Sequence, residues 1–205
     1  MRRPLALVLL LVSAPVARAA DLVTIPVNGV LLRDDSKPPI DYNYRYFKMR
    51  STTKTEPPEH QIVMPDPGSA GDPTSIGATG GGATLTVYNA AGSGEVFTVT
   101  LPASGWSYIR STPPRRLRFG SPTGPVRRVF LRPGILYVRA DGPDWGYTLD
   151  EPSQGRIAMR FTSGTGDTWC FDVPAWQPHA KYDYPNKFQT YKNGPAATCP
   201  PLPAQ

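Results

Sequence analysis

The sequence predicts an all-β fold: a two-sheet β-sandwich of jelly-roll type, or a barrel, built from roughly ten short antiparallel strands. The chain has 25 prolines and 19 glycines among its 205 residues, and both residues disrupt helix interiors. Short stretches of strand-forming residues recur at roughly 8–15-residue intervals with turn residues between them. A single sheet of so many strands tends to curl or split, which favours two packed sheets or closure.

The first 19 residues have the pattern of a cleavable secretory signal peptide. Residues 1–3 are positively charged, residues 5–12 are apolar, and residues 17–19 (Ala-Arg-Ala) form a small-x-small cleavage site. The apolar run is about half of the roughly 20 residues that a membrane-spanning helix needs, so no membrane span is expected in the mature protein. We therefore expect a secreted protein, extracellular or periplasmic. Cleavage removes three arginines and no acid, which lowers the formal net charge from +6 to +3.

Residues 20–173 are predicted to form the β-sandwich domain. Its clearest hairpin joins residues 83–88 (ATLTVY) to residues 95–101 (EVFTVTL) through the turn 89–94, with alternate side chains facing inward. Residues 65–82 are rich in proline and glycine and are predicted to form a surface loop. The other predicted strands are residues 27–32, 42–50, 61–64, 106–110, 115–119, 126–132, 135–140, 147–149, 155–162 and 168–173.

Residues 174–205 are proline-rich and are predicted to be an extended tail that a disulfide closes onto the domain. The chain has two cysteines, Cys170 and Cys199, and an even pair in an exported protein indicates a disulfide. The bridge would close a loop of about 30 residues, for which the chain-entropy estimate is about 3.5 kcal/mol. The alternative, a reactive thiol, is less favoured because Cys170 lies between Trp169 and Phe171 with no basic activator beside it.

Three stretches of the chain resemble a β-rich domain family that recurs in exported proteins of GC-rich soil bacteria. They are residues 71–74 (GDPT) leading into 82–89 (GATLTVYN), residues 101–106 (LPASGW), and residues 146–156 (GYTLDEPSQGR) followed by Trp169-Cys170 and Cys199-Pro200. The likeness runs from about residue 25 to residue 200. This sequence departs from the pattern in its extra glycines before Ala83 and its aromatic-rich tail. The resemblance implies export, a β-rich domain and a cysteine pair, and it carries no activity or functional residue with it.

Arginine is concentrated in one interval of the chain. No acidic residue occurs between Glu95 and Asp141. If neighbouring strands bring these arginines together, the surface would bind carboxylate, phosphate or sulfate groups through bidentate contacts. The alternative is a solvated strand face whose arginines pair with acids from elsewhere. The interval contains Arg110, Arg115, Arg116, Arg118, Arg127, Arg128, Arg132 and Arg139.

Trp145 is the aromatic residue predicted to be exposed. It lies in the turn-like stretch 141–146 (DGPDWG), and an exposed tryptophan face can stack on a sugar ring. Trp106 and Trp169 lie in strand-like runs and are expected to pack in the core.

Other kinds of site have weaker support in the sequence. The histidines, His60 and His179, form no His-Glu-x-x-His motif, and Gly-x-Ser-x-Gly is also absent. No cofactor is expected. A hydrolase with convergent carboxylates stays open as an alternative, as does a calcium site, although the acidic spacing matches no EF-hand. The acids in question are Asp34, Asp35, Asp141, Asp144, Asp150 and Glu151.

The sequence thus favours a secreted, non-enzymatic binding or surface-structural module whose partner is acidic polysaccharide or another envelope component. A net charge of +3 gives no reason to expect a nucleic acid. An inert structural domain is the remaining alternative. The predicted ligand-binding residues are Arg115, Arg116, Arg118, Arg127, Arg128, Arg132 and Trp145, and no metal ligand is predicted.

Overall fold

A computed structural model describes residues 22–35, 44–64, 81–91, 93–110, 116–164, 166–174 and 180–204. The predicted signal peptide, most of the predicted loop 65–82 and Arg115 lie outside the described residues. The strands are β1 Leu22–Thr24, β2 Val27–Asp34, β3 Arg45–Thr52, β4 Ala83–Asn89, β5 Val96–Leu101, β6 Trp106–Arg110, β7 Arg116–Gly120, β8 Val126–Arg132, β9 Ile135–Asp141, β10 Arg156–Ser163, β11 Thr168–Pro174, β12 Ala180–Tyr184 and β13 Lys187–Asn193. Two short 3-10 turns, Pro58–His60 and Ala103–Gly105, are the helical elements of the described residues, and no helix in these ranges is long and apolar enough to cross a membrane.

The strands form two sheets, which confirms the predicted two-sheet all-β architecture. The small sheet has the order β1-β11-β10-β4-β5, and the large sheet has the order β12-β13-β2-β3-β9-β8-β7-β6. Neither sheet closes into a barrel, so the barrel alternative is wrong. The pairs are antiparallel except for β1 with β11, which is parallel.

One core lies between the two sheets. Alternate residues of each strand face it, because successive side chains of a strand point to opposite faces. In the small sheet Leu85, Val87 and Phe161 are buried, and in the large sheet Phe47 and Met49 are buried. These side chains belong to one contiguous apolar cluster.

The predicted disulfide is present between Cys170 on β11 and Cys199. Residues 194–204, named here the C-terminal strap, contain Cys199 and contact the outer side of the small sheet. The Tyr88 hydroxyl donates a hydrogen bond to the Pro200 carbonyl at 2.7 Å, and the Arg160 guanidinium donates another to the same carbonyl. The predicted Cys170–Cys199 disulfide is therefore confirmed.

The structure differs from the prediction at the start of the C-terminal segment. Residues 180–193 form β12 and β13, and β13 pairs with β2 over most of its length. Phe188 and Thr190 are fully buried. This part of the chain belongs to the large sheet and is not an extended tail. The predicted strands 61–64 and 147–149 are also wrong, because neither segment pairs in a sheet.

Candidate ligand-binding face

The side of the large sheet that points away from the core is named here the outer face. Its residues alternate with the buried ones along each strand, which is why the sequence pattern places them together. Most of them are charged or aromatic. They are Leu31 and Arg33 of β2, Tyr46, Lys48 and Arg50 of β3, Arg116 and Arg118 of β7, Arg128, Phe130 and Arg132 of β8, Tyr137, Arg139 and Asp141 of β9, and Lys187 and Gln189 of β13.

A row of three cations crosses the middle of the outer face. Lys48 of β3 is the register partner of Arg139 of β9, and Arg139 is the partner of Arg128 of β8. Neighbouring strands lie about 4.8 Å apart, so the three Cα positions span about 10 Å. All three residues are exposed. This row brings cations from three strands to one line on the surface.

A second row, beside the first, combines cations with aromatic rings. The register places Arg50 next to Tyr137, Tyr137 next to Phe130, and Phe130 next to Arg118. The ring centroids of Phe130 and Tyr137 are 6.1 Å apart, with 41° between the ring planes. The two rings therefore form an apolar centre between two flanking guanidinium groups.

Asp141 is the acid that partly neutralises the outer face. Its two carboxylate oxygens accept hydrogen bonds from Arg127 Nε at 3.0 Å and from Arg139 Nε at 2.9 Å. The hydrogen bond to Asp141 raises the pKa of Arg139, which keeps the guanidinium charged. Within the described ranges, no carboxylate forms an ion pair with Lys48, Arg50 or Arg128. The same holds for Arg116, Arg118 and Arg132.

Cations also lie over the rings of the outer face. The guanidinium carbon of Arg128 is 5.6 Å from the Phe130 centroid, and that of Arg139 is 5.7 Å from the Tyr46 centroid. Burial of the Tyr46 hydroxyl and the nearby Tyr137 raise the pKa of Tyr46. Tyr46 therefore stays neutral at physiological pH and adds no negative charge to the face.

Two depressions lie side by side on the outer face. The larger has a volume of about 450 Å³ and lies over β3, β9, β8 and β7. The smaller has a volume of about 240 Å³ and lies over β3, β2 and β13. Lys48 and Arg50 line both. The two depressions are named here together the basic groove. They lie over the strands from β13 to β7, which at the usual strand spacing cover about 24 Å.

In the part of the chain that the structure describes, the outer side of the small sheet has no comparable charged surface. The C-terminal strap covers it, and Tyr88 is fully buried there. The Arg156 guanidinium is held by Asp172 through two hydrogen bonds, of 2.8 and 2.6 Å. Arg160 is held by the strap at Pro200. Among the described residues, Arg156 and Arg160 on this side are held by protein groups, whereas most cations on the outer face form no ion pair.

The structure brings together four of the arginines predicted from the sequence. Arg116 and Arg118 share the outer face on β7, and Arg128 and Arg132 share it on β8, as strand alternation predicts. Arg127 lies at an irregularity between Val126 and Arg128 and is bound to Asp141. Arg115 lies outside the described residues.

The predicted exposure of Trp145 is wrong. Its side chain is completely buried. The indole stacks on Phe47 of β3 at 5.2 Å and meets the edge of Phe97 of β5 at 4.7 Å. The turn-rich sequence around Trp145 places its backbone outside the strands, but the side chain inserts between the two sheets. Trp145 is a core residue and cannot contact a ligand in the folded protein.

Sequence reasoning missed the contribution of β3 and β9 to the groove. Lys48, Arg50 and Tyr137 line the larger depression, but none was predicted to bind a ligand. Alternation along β3 contained a usable signal, because Lys48 and Arg50 have the same parity as Tyr46 and the opposite parity to Phe47 and Met49. The pairing of β3 with β9 joins residues about ninety positions apart, and no local pattern predicts it.

The carboxylates of the described residues form no metal-binding group. Glu95 is a half-buried acid whose Oε1 accepts hydrogen bonds from the backbone N–H and the hydroxyl of Thr148, at 2.7 and 3.0 Å. Its Oε2 is buried and has no hydrogen-bond partner among the described residues. Burial is the main cause that raises the pKa of Glu95, and Glu151 and Asp150 raise it further. Glu95 lines neither depression of the basic groove.

Comparison with known proteins gives no relative for this chain. No family model, no curated protein and no solved structure matches it. The resemblance to the family of exported β-rich domains stays a prediction. The geometry of the outer face is therefore the basis for a functional conclusion.

Proposed function

We propose that this protein is a secreted, non-enzymatic binding module that holds acidic polysaccharide in the basic groove of its large sheet. The carrying observation is that the depressions are lined by Lys48, Arg50, Arg116 and Arg132, none of which forms an ion pair with a described carboxylate. The exposed row Lys48–Arg139–Arg128 lies beside them on the same face. Unpaired guanidinium groups on a surface are free to bind anionic groups through charge-assisted hydrogen bonds. Such a concentration of like charge is not expected in an inert domain, because like charges on neighbouring strands destabilise the sheet.

The shape of the groove favours a polymer over a small anion. Two depressions that share Lys48 and Arg50 offer successive contacts along about 24 Å of sheet. A single phosphate or sulfate would use only a fraction of this length. Secretion, which the N-terminal sequence and the disulfide support, would bring the groove to the cell envelope, where acidic polysaccharide is found.

The alternative of a hydrolase has less support. Paired catalytic carboxylates must face each other across a cleft. Neither the larger depression nor the one of about 410 Å³ beside Arg156 is lined by two carboxylates.

The proposal is tested by changing the two cations that line both depressions, Lys48→Thr with Arg50→Thr, and by measuring the affinity for polygalacturonate at several salt concentrations. We expect a loss of about three- to tenfold at low salt, since one exposed charge pair contributes up to about 1 kcal/mol. The wild-type affinity should also fall steeply as salt rises.

The matched control is Lys54→Thr with Lys192→Thr, which removes the same charge from exposed sites that do not line the groove. This control should lose little affinity. Equal losses in the two double variants would show that only net charge matters, and no loss in the groove variant would refute the proposed site.

A further inference from the structure

The larger depression of the basic groove has an apolar floor as well as a basic rim. Phe130, Ile135 and Tyr137 line it together with Arg50, Arg116 and Arg132. Its volume of about 450 Å³ is in the range of small-ligand sites. A charge array that only attracts anions has no need of aromatic side chains among its cations, so the floor indicates a second type of contact.

Tyr137 is the ring best placed to make that contact. Arg128 already lies over Phe130 at 5.6 Å. Among the described residues no cation lies over Tyr137, which lies between Arg50 and Phe130 in the register. Tyrosine presents a large, rigid apolar surface at low entropic cost, and sugar rings have an apolar C–H face that can lie on it.

The rim specifies the charge of the occupant. Arg50 flanks Tyr137 on the neighbouring strand, and Arg116 and Arg132 bound the opposite side of the depression. None of the three forms an ion pair with a described carboxylate. The occupant must therefore combine an apolar ring face with an anionic group projecting from its edge.

Building on the proposed function, we propose that the larger depression is a subsite for one carboxylate-bearing sugar ring, which stacks on Tyr137 while its carboxylate binds the rim arginines. The protein then selects acidic polysaccharides over polyanions that lack rings. The smaller depression and the cation row hold the neighbouring units of the same polymer through charge.

The experiment compares polygalacturonate with polyglutamate, which carries carboxylates on a chain without sugar rings, at equal carboxylate concentration. Wild-type protein should bind polygalacturonate more tightly. Tyr137→Ile should weaken polygalacturonate binding by roughly fivefold, in line with the worth of an aromatic contact, and should leave polyglutamate binding unchanged. Tyr137→Phe keeps the ring and should keep the preference.

The control variant is Tyr184→Ile, which removes an exposed tyrosine from β12 at the far edge of the same sheet and should change neither affinity. Circular dichroism would show whether Tyr137→Ile unfolds. In that case Phe130→Ile, which removes the neighbouring ring of the same depression, is compared for binding of polygalacturonate and polyglutamate. A sulfated glucan whose binding also depends on Tyr137 would support the ring subsite, with sulfate in place of carboxylate.

Equal wild-type affinity for the two polymers, or equal losses for both in Tyr137→Ile, would overturn the ring subsite while leaving the proposed charge-based function intact. Failure of the wild-type protein to bind either polymer would overturn both proposals. The comparison thus distinguishes the two failures.

Discussion

Trp145 shows how a single side chain joins the two sheets. Phe47, on which the indole stacks, belongs to the large sheet, and Phe97, which meets its edge, belongs to the small sheet. The space around it is tight, because a Cβ atom on the neighbouring Gly146 would lie 2.6 Å from the Phe97 ring. The residue therefore stabilises the packing of one sheet against the other.

We expect Trp145→Ala to lower the free energy of unfolding by about 3–5 kcal/mol, because it leaves a cavity between Phe47 and Phe97. Urea denaturation followed by circular dichroism measures this loss. The folded fraction of the variant should still bind polygalacturonate like the wild type. A variant of near wild-type stability that binds poorly would restore Trp145 as a ligand contact.

Glu95 is a residue whose charge costs stability. Because burial raises its pKa in the folded protein, the folded state prefers the protonated form. The favourable contribution of protonated Glu95 to the free energy of unfolding is fully present below the pKa of glutamate in the unfolded chain, about 4.3. It is lost as pH rises from there through the higher pKa of the folded protein.

Glu95→Gln removes this titration while keeping an acceptor for the two hydrogen bonds from Thr148. We expect the Tm of the variant, relative to wild type, to rise by a few degrees between pH 4 and pH 7. Thermal melts at a series of pH values measure the difference. A Tm difference that stays constant, or that falls with pH, would contradict the assigned cause.

At the scale of elements, the hairpin of β12 and β13 determines how far the large sheet extends. Its turn contains Pro185 and Asn186, and Asn186 has a φ of 75°. Proline followed by asparagine with positive φ is typical of a type II turn. The sequence signal was therefore present within a segment whose proline content suggested a tail.

Phe188 tests the membership of this hairpin in the domain. It is fully buried and is the register partner of Leu32 on β2. We expect Phe188→Ala to cost about 3–5 kcal/mol of unfolding free energy, which chemical denaturation measures. A residue in a solvated tail would cost less than about 0.5 kcal/mol, so a small loss would contradict the pairing of β13 with β2.

Local pattern and long-range pairing explain which parts of the architecture could be predicted. The hairpin of β4 and β5 was predictable because a short turn joins its strands and alternation assigns its buried face. The shared face of Arg116 with Arg118, and that of Arg128 with Arg132, also follow from strand alternation. Their position beside Lys48 and Arg50 was not predictable, because it depends on β9 pairing with the distant β3. The exposure of Trp145 was predicted wrongly, because the turn sequence around it indicates the path of the backbone and not the direction of the side chain.

At the scale of the whole molecule, the two outer sides of the sandwich differ in what covers them. The C-terminal strap, held by the Cys170–Cys199 bridge, lies over the small sheet and binds Tyr88 and Arg160. The large sheet presents the basic groove to solvent. Among the described residues, the cations without an ion-pair partner are concentrated on the outer face of the large sheet. Electrostatic attraction should orient an approaching polyanion toward that side.

The most direct test of this account is to map the contact surface by NMR, following backbone amide shifts as an oligogalacturonide is added at low salt. We predict that the shifts concentrate on β3, β9 and β8, around Lys48, Arg128 and Tyr137, and that they disappear at high salt. Shifts concentrated on β4, β10 and the C-terminal strap, or distributed evenly over both sheets, would contradict the claim that the outer face of the large sheet is the binding site.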